Sequence, residues 1–215
     1  MKNLKTLLAF VLLTSVSLVT FAQTTDSSKL KFGFKGGVNF SNLYTDDVED
    51  NNVLTGFNVG LFARLPITQT FAIQPELLYT TKGAELEYNN AFVNGTSTFK
   101  LNYLELPVLL VINVSENFSV HGGPYIAYLI DGKATNDSQG TLFDVENTLD
   151  NDDYNKFDSG VAFGIGYDTD TVGFGVRYSY GLQKVGKQRN YNGTDYTFPD
   201  GKNSVINLYL SYTIL

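Results

Sequence analysis

After Lys29 the chain alternates apolar and polar side chains with period two, and no long stretch carries the 3.6-residue period of a helix. Such alternation places successive side chains on opposite faces of a sheet. In the first segment Phe32, Phe34, Val38 and Phe40 share one face, and Lys31, Gly33, Lys35, Gly37 and Asn39 share the other. A second segment sets Phe57, Val59, Leu61, Ala63 and Leu65 against Asn58, Gly60 and Arg64. The cleanest sets Val172, Phe174, Val176, Tyr178, Tyr180 and Leu182 against Gly173, Gly175, Arg177, Ser179 and Gly181. In the last, Ile206, Leu208, Leu210, Tyr212 and Ile214 oppose Asn207, Ser211 and Thr213.

Eight such segments are expected, near 30–41, 54–65, 70–83, 98–112, 117–131, 157–168, 172–183 and 204–214. Most exceed the ~9–11 residues that a tilted strand needs to cross a bilayer. The connections alternate in length. Pro66 to Gln69, Asn113 to Glu116 and Asp168 to Thr171 are short, whereas 42–53, 84–97, 132–156 and 184–203 are long and polar. Short turns at one end and long loops at the other is the layout of outer-membrane barrels. The pattern predicts an all-β fold: an eight-stranded antiparallel up-and-down transmembrane β-barrel, with both chain ends on the periplasmic side. A soluble barrel or two-sheet sandwich would bury the apolar face instead. Strand length favours hydrocarbon as its neighbour, with Tyr79, Tyr128, Tyr167 and Tyr212 near the strand ends as interfacial girdles. Lys100 to Tyr103 fits the alternation poorly, which suggests a bulge there. Pro75, Pro107 and Pro124 lie within expected strands and suggest further local breaks.

The N-terminus adds an address. Lys2 and Lys5 precede an apolar run from Leu7 to Val19, and Thr20-Phe21-Ala22 supplies small residues before Gln23. The division expected is therefore a cleaved signal peptide over 1–22, a short periplasmic segment over 23–29 and the barrel domain over 30–215. Export also suits the absence of cysteine, which excludes disulfides and thiolate metal sites. The lone His121 argues against a histidine metal site, so no metal and no cofactor are expected. A net charge of −7 gives no electrostatic footprint for nucleic acid.

Several short motifs then gain meaning by their order. Lys35-Gly36-Gly37-Val38-Asn39-Phe40-Ser41, Pro75-Glu76-Leu77-Leu78-Tyr79, Tyr103-Leu104-Glu105-Leu106-Pro107 and Gly123-Pro124-Tyr125-Ile126-Ala127-Tyr128 resemble the recurring motifs of the PorT-like outer-membrane β-barrel family. The resemblance runs from about Leu30 to Leu215. It implies a small outer-membrane, porin-like barrel and little about activity. The founding member is associated with gliding and protein secretion, a role that barrel motifs alone do not transfer.

Candidate chemistry lies on the polar face. Lys35, Glu76, Arg177 and Glu105 are expected to point inward and to share one lumen layer, with Arg64 lower, at the periplasmic mouth. Eight strands leave an interior just wide enough for side chains, so an internal ion-paired plug is favoured over a gated ion path. Ser119 and His121 share a face without a third group to orient them, so no catalytic site is assigned. Acidic loop clusters, Asp46, Asp47, Glu49 and Asp50, then Asp144, Glu146, Asp150, Asp152 and Asp153, read as solvated loops or, more weakly, as divalent-cation sites. The function expected is a non-enzymatic structural or interaction barrel acting through long extracellular loops. The alternatives are a narrow ion or small-solute channel, a lipid- or peptide-processing barrel enzyme, and a secretion-machinery component. The expected surroundings are outer-membrane lipid, with barrel-assembly machinery as the partner in biogenesis, a monomeric state, and an extracellular partner of unspecified kind.

Overall fold

The computed structural model describes residues 30–44, 51–90, 93–138, 145–148, 154–191, 194–197 and 201–214. The expected signal peptide over 1–22 and the segment over 23–29 lie outside them. Eight long strands carry the architecture: β1 (Lys31–Tyr44), β2 (Leu54–Pro66), β3 (Phe71–Asn90), β4 (Val93–Asn113), β5 (Phe118–Ser138), β6 (Phe157–Asp168), β7 (Val172–Lys184) and β8 (Lys202–Thr213). Each pairs antiparallel with its neighbours in sequence, and β1 pairs with β8, so the sheet closes on itself. The three short turns form at 67–70, 114–117 and 169–171, held by bonds such as Ile67 N–H to Phe71 O at 2.8 Å and Thr169 N–H to Val172 O at 2.8 Å.

One row of paired residues shows what the alternation encodes. From β2 round to β3 it reads Phe57, Val38, Leu208, Val176, Ile165, Val120, Ile112 and Phe71, apolar on all eight strands. The row climbs from the turn end of β3 to the upper part of β2, the stagger that tilted strands in a closed barrel require. These side chains point out: Phe57 and Ile165 are each 48% exposed, whereas Lys35 and Arg177 are each 3% exposed. A water-soluble barrel would have the opposite polarity. So large a continuous apolar belt has hydrocarbon as its solvent. Tyr167 and Tyr212 rim the belt near the short turns, and Tyr44 and Tyr128 rim it at the other end.

The strands depart from the expected bounds at the long-loop end, where Gln188–Tyr191 and Thr194–Thr197 also pair as a separate two-stranded sheet. Residues 84–97 are not a polar loop. β3 and β4 continue through them in unbroken register to the pair Asn90↔Val93. β5 likewise runs on to Ser138, and Val145–Thr148 adds to its edge. Asn51–Asn52 pairs on the other side, with Leu86 and Glu85 of β3. The result is a sheet-like arm above the barrel. Apolar alternation stops marking a strand once neither face meets lipid, whereas backbone pairing continues.

The irregularities also sit elsewhere than expected. Pro75, Pro107 and Pro124 cause no register shift: β3–β4 keeps one register past Pro75, and β5–β6 keeps one past Pro124. The bulge near Asn102 and Tyr103 is real, but the extra residue is Ile130 on β5, since Asn102 faces Asp131 and Tyr103 faces Leu129. On β4 itself the alternation holds. Leu101 and Tyr103 point inward and are apolar, which disguised it. The bulge marks the height at which the outer face changes from Leu104, Tyr128 and Ile130 to Asn102 and Asp131. A second shift lies between Lys202 and Ser204.

Replacing Val176, near the middle of the apolar belt, by Arg should reduce stability by about 2–4 kcal/mol, whereas the same change at an exposed position above the belt such as Thr135 should cost about 0–1 kcal/mol. Urea-induced unfolding from lipid vesicles measures both.

Candidate functional site: a stoppered lumen

Inward positions bring side chains from all eight strands into one narrow column. Glycine makes room for the large ones. A Cβ on Gly175 would lie 2.5 Å from the Tyr209 hydroxyl, and one on Gly164 would lie 2.5 Å from His121 Nε2.

At the short-turn mouth Arg64 Nη1 donates to Asp168 Oδ2 at 2.9 Å, and Arg64 Nε donates to Gln74 Oε1 at 2.6 Å. Gln74 Nε2 passes the network upward to Glu76 Oε1 at 2.6 Å. Glu76 anchors the next layer. Arg177 grips it with two bonds, Nη1 to Oε2 at 2.7 Å and Nη2 to Oε1 at 2.8 Å, and Lys35 Nζ reaches Oε1 at 3.0 Å. The bidentate fork is the strong form of a charge-assisted bond. Lys35 Nζ also lies 3.6 Å from the Tyr209 ring centroid, a cation–π contact between two buried groups.

Above it is a layer of amides. Asn39 Oδ1 accepts from Asn58 Nδ2 at 3.0 Å and Asn207 Nδ2 at 2.9 Å, while Asn39 Nδ2 donates to Thr80 Oγ1 at 2.8 Å. Higher still, Lys82 Nζ lies between Glu105 Oε2 at 2.6 Å and Asp158 Oδ2 at 3.2 Å. Tyr125 OH and Asn203 Nδ2 also donate to Asp158 Oδ2, at 3.2 and 3.0 Å. An apolar lid covers this layer: Leu43, Ala84, Leu101, Leu129, Tyr154 and Val185 are all buried there. The stems of two loops hold the lid. Asn155 N–H donates to Val185 O at 2.9 Å, and Val185 N–H donates to Gly201 O at 2.8 Å.

The structure therefore brings Lys35, Glu76 and Arg177 together and places Arg64 at the short-turn mouth. Glu105 is the exception. It belongs to the Lys82–Asp158 layer, because β4 is staggered upward relative to β3: Glu105 faces Leu78, and not Glu76, across that pair. Lys82, Asp158 and Tyr209 are lumen residues that sequence reasoning missed, whereas the three asparagines lie on the polar faces it identified. Parity marks the first two, since Lys82 is six residues from Glu76 on one strand and Asp158 is two from Gly160 on another. The two charged layers are complementary. The lower has two cations for one carboxylate, and the upper has two carboxylates for one ammonium.

Ser119 and His121 are occupied separately. Ser119 Oγ donates to Asp168 Oδ2 at 3.4 Å, and His121 Nε2 accepts from Arg177 Nε at 3.3 Å. The loop acids Asp46, Asp47, Glu49, Asp50, Asp144, Asp150, Asp152 and Asp153 lie outside the described residues, as does the side chain of Glu146. Among the described residues no group of three acidic or imidazole side chains is arranged to hold a metal.

An apolar exterior around a closed, ion-paired interior defines a bacterial outer-membrane barrel. The chain belongs to the outer membrane protein beta-barrel domain family, whose model matches residues 21–186. A search of curated protein sequences found no match. Among solved structures, Neisserial surface protein A (NspA) is similar with a TM-score of 0.53 at 12% identity, over 85% of this chain and 97% of that one. The attachment invasion locus protein Ail of Yersinia pestis, solved in complex with the heparin analogue sucrose octasulfate, gives a TM-score of 0.49 at 15% identity, over 86% of this chain and 99% of that one. At these identities the likeness is one of fold alone.

Glu76→Gln strands Lys35 and Arg177 as buried cations and should reduce stability by about 3–5 kcal/mol. Glu105→Gln leaves Lys82 paired with Asp158 and should lose much less. The urea midpoint for loss of the heat-modifiable band on a gel compares the two.

Proposed function

We propose that the protein is a non-conducting, non-enzymatic outer-membrane barrel that acts through the surface it presents outside the cell. The observation that carries this reading is the unbroken stopper in the lumen: the Arg64–Asp168 pair, the Glu76 layer, the asparagine layer, the Lys82 layer and the apolar lid lie one above another. A channel would need all five to part, and each ion-paired layer resists because a separated partner is left buried and uncompensated. The non-enzymatic part rests on Ser119 and His121, which bond to Asp168 and Arg177 and not to each other. Binding usually resides in loops held on a rigid scaffold, and here the long loops and the β3–β5 arm form such a surface.

The resemblance of the ordered motifs from Lys35 to Tyr128 supports kinship with the PorT-like group, and we take the protein to be a monomer inserted by the barrel-assembly machinery. Removal of residues 1–22 on export completes this reading. The intact mass of envelope-extracted protein should correspond to a chain starting at Gln23. In planar bilayers the folded protein should show no steady unit conductance. A steady unit conductance carried by the folded, heat-modifiable form would make it a channel.

A further inference from the structure

Among the described residues four buried side-chain atoms have no hydrogen-bond partner, and all four are oxygens: Asn58 Oδ1, Glu105 Oε2, Asp158 Oδ1 and Asn203 Oδ1. Three of them belong to the Lys82 layer. Glu105 Oε2 faces Lys82 Nζ at 2.6 Å as an ion pair. Asp158 Oδ1 and Asn203 Oδ1 accept from no donor, although Asp158 is 4% exposed and Asn203 1%. Asp158 Oδ2, by contrast, accepts from Lys82, Tyr125 and Asn203. One oxygen of this carboxylate thus has three donors and the other has none. A bare buried acceptor is costly, the more so on a charged group.

The wall beside these oxygens is interrupted. β7 and β8 pair at Tyr180↔Ser204 and again at Lys184↔Lys202, so three residues of β7 are set against Asn203 alone. Gly181 is the buried one of the three. A Cβ built on it would lie 3.1 Å from Asp158 Oδ1 and 3.2 Å from the Asn203 main-chain oxygen. A carboxylate oxygen and a carbonyl oxygen therefore converge on the bare face of Gly181. Charge says what would fit there. Lys82 sets one positive charge against the two carboxylates of Glu105 and Asp158. The surplus cation of the Glu76 layer answers only at long range, since six residues of β3 span about 20 Å. We propose that this layer binds one monovalent alkali cation, held by Asp158 Oδ1, Asn203 Oδ1 and the Asn203 carbonyl. Carboxylate and carbonyl oxygens are the ligands such ions take in place of water. A divalent ion would exceed the single surplus charge, and the Lys82 ammonium would repel it more strongly. The lid of Leu43, Leu101, Leu129, Tyr154 and Val185 lies above, so the ion is taken up on folding and held, not conducted. The site goes beyond the closed-lumen reading, which stands whether or not an ion is found here.

The test follows urea unfolding of the full chain from phosphatidylcholine vesicles. Sodium, potassium or rubidium chloride is replaced stepwise by N-methylglucamine chloride, whose cation is too large for the site, at constant ionic strength. For the preferred alkali ion, the unfolding equilibrium constant should fall about tenfold for each tenfold rise in concentration above saturation, because one ion is bound by the folded form alone. Asp158→Asn and, separately, Asn203→Leu should flatten that dependence. Glu116→Gln, at an exposed acid of a short turn, should leave it unchanged. Should a lumen variant not fold, the wild type gives a second reading. Refolded in the preferred ion and passed by gel filtration into N-methylglucamine buffer, it should retain one ion per chain by atomic emission and release it on boiling. A wild-type unfolding constant indifferent to the cation present, a dependence unchanged in both lumen variants, or no retained ion overturns the proposal.

Discussion

In hydrocarbon an unpaired peptide group has no water to bond, and leaving it so costs several kcal/mol. A sheet escapes that cost by having no edge. The pairing of β1 with β8, from Gly33↔Thr213 to Tyr44↔Lys202, removes the last one. The inward and outward sets of side chains, the stagger of the layers and the narrowness of the lumen all follow from that closure. It also accounts for the ordinary register at Pro75 and Pro124. A missing donor is a local loss within a closed ladder, while a shifted register would turn every following side chain to the wrong solvent.

Closure also determines what the interior can hold. Eight strands enclose a column about as wide as the side chains that fill it. Water is largely displaced, so charges there persist only as partners. Glu76 meets this condition with four donors from Gln74, Lys35 and Arg177, and Lys82 meets it between two carboxylates. The surplus cation of one layer and the surplus carboxylate of the other balance along the axis, with the Asn39, Asn58 and Asn207 amides between them. Such a core need not be more stabilising than an apolar one of equal volume. Its physical effect is specificity of register, because only one alignment of β1, β3 and β7 brings Lys35, Glu76 and Arg177 within bonding distance.

That logic explains how much of the molecule was legible in the chain. Outward faces read clearly because lipid demands an apolar residue at nearly every position, as in Val172 to Leu182. Inward faces read less clearly, because a dry, crowded lumen accepts Leu101, Leu109 and Val111 as readily as Asn39 or Arg177. Lys35, Glu76 and Arg177 were found by parity on three strands. Glu105 was assigned to the wrong layer because its height depends on the stagger between β3 and β4, which no single strand encodes. The arm was missed for a related reason. Beyond Gly83 on β3 and Asn102 on β4 neither face touches hydrocarbon, so a ladder of Thr, Asn and Gly pairs as well as any other and leaves no periodic mark.

The boundary at Ile130 joins these observations. A bulge inserts one extra residue and reverses the facing of everything beyond it relative to the residues before. On β5 the extra residue falls where Tyr128 and Ile130 give way to Asp131 and Lys133. Below it, alternation serves lipid on one side and the ion-paired lumen on the other. Above it, the same strand turns Asp131 and Lys133 outward and keeps Gly132 inward. A single inserted residue thus lets one continuous strand satisfy two solvents in succession.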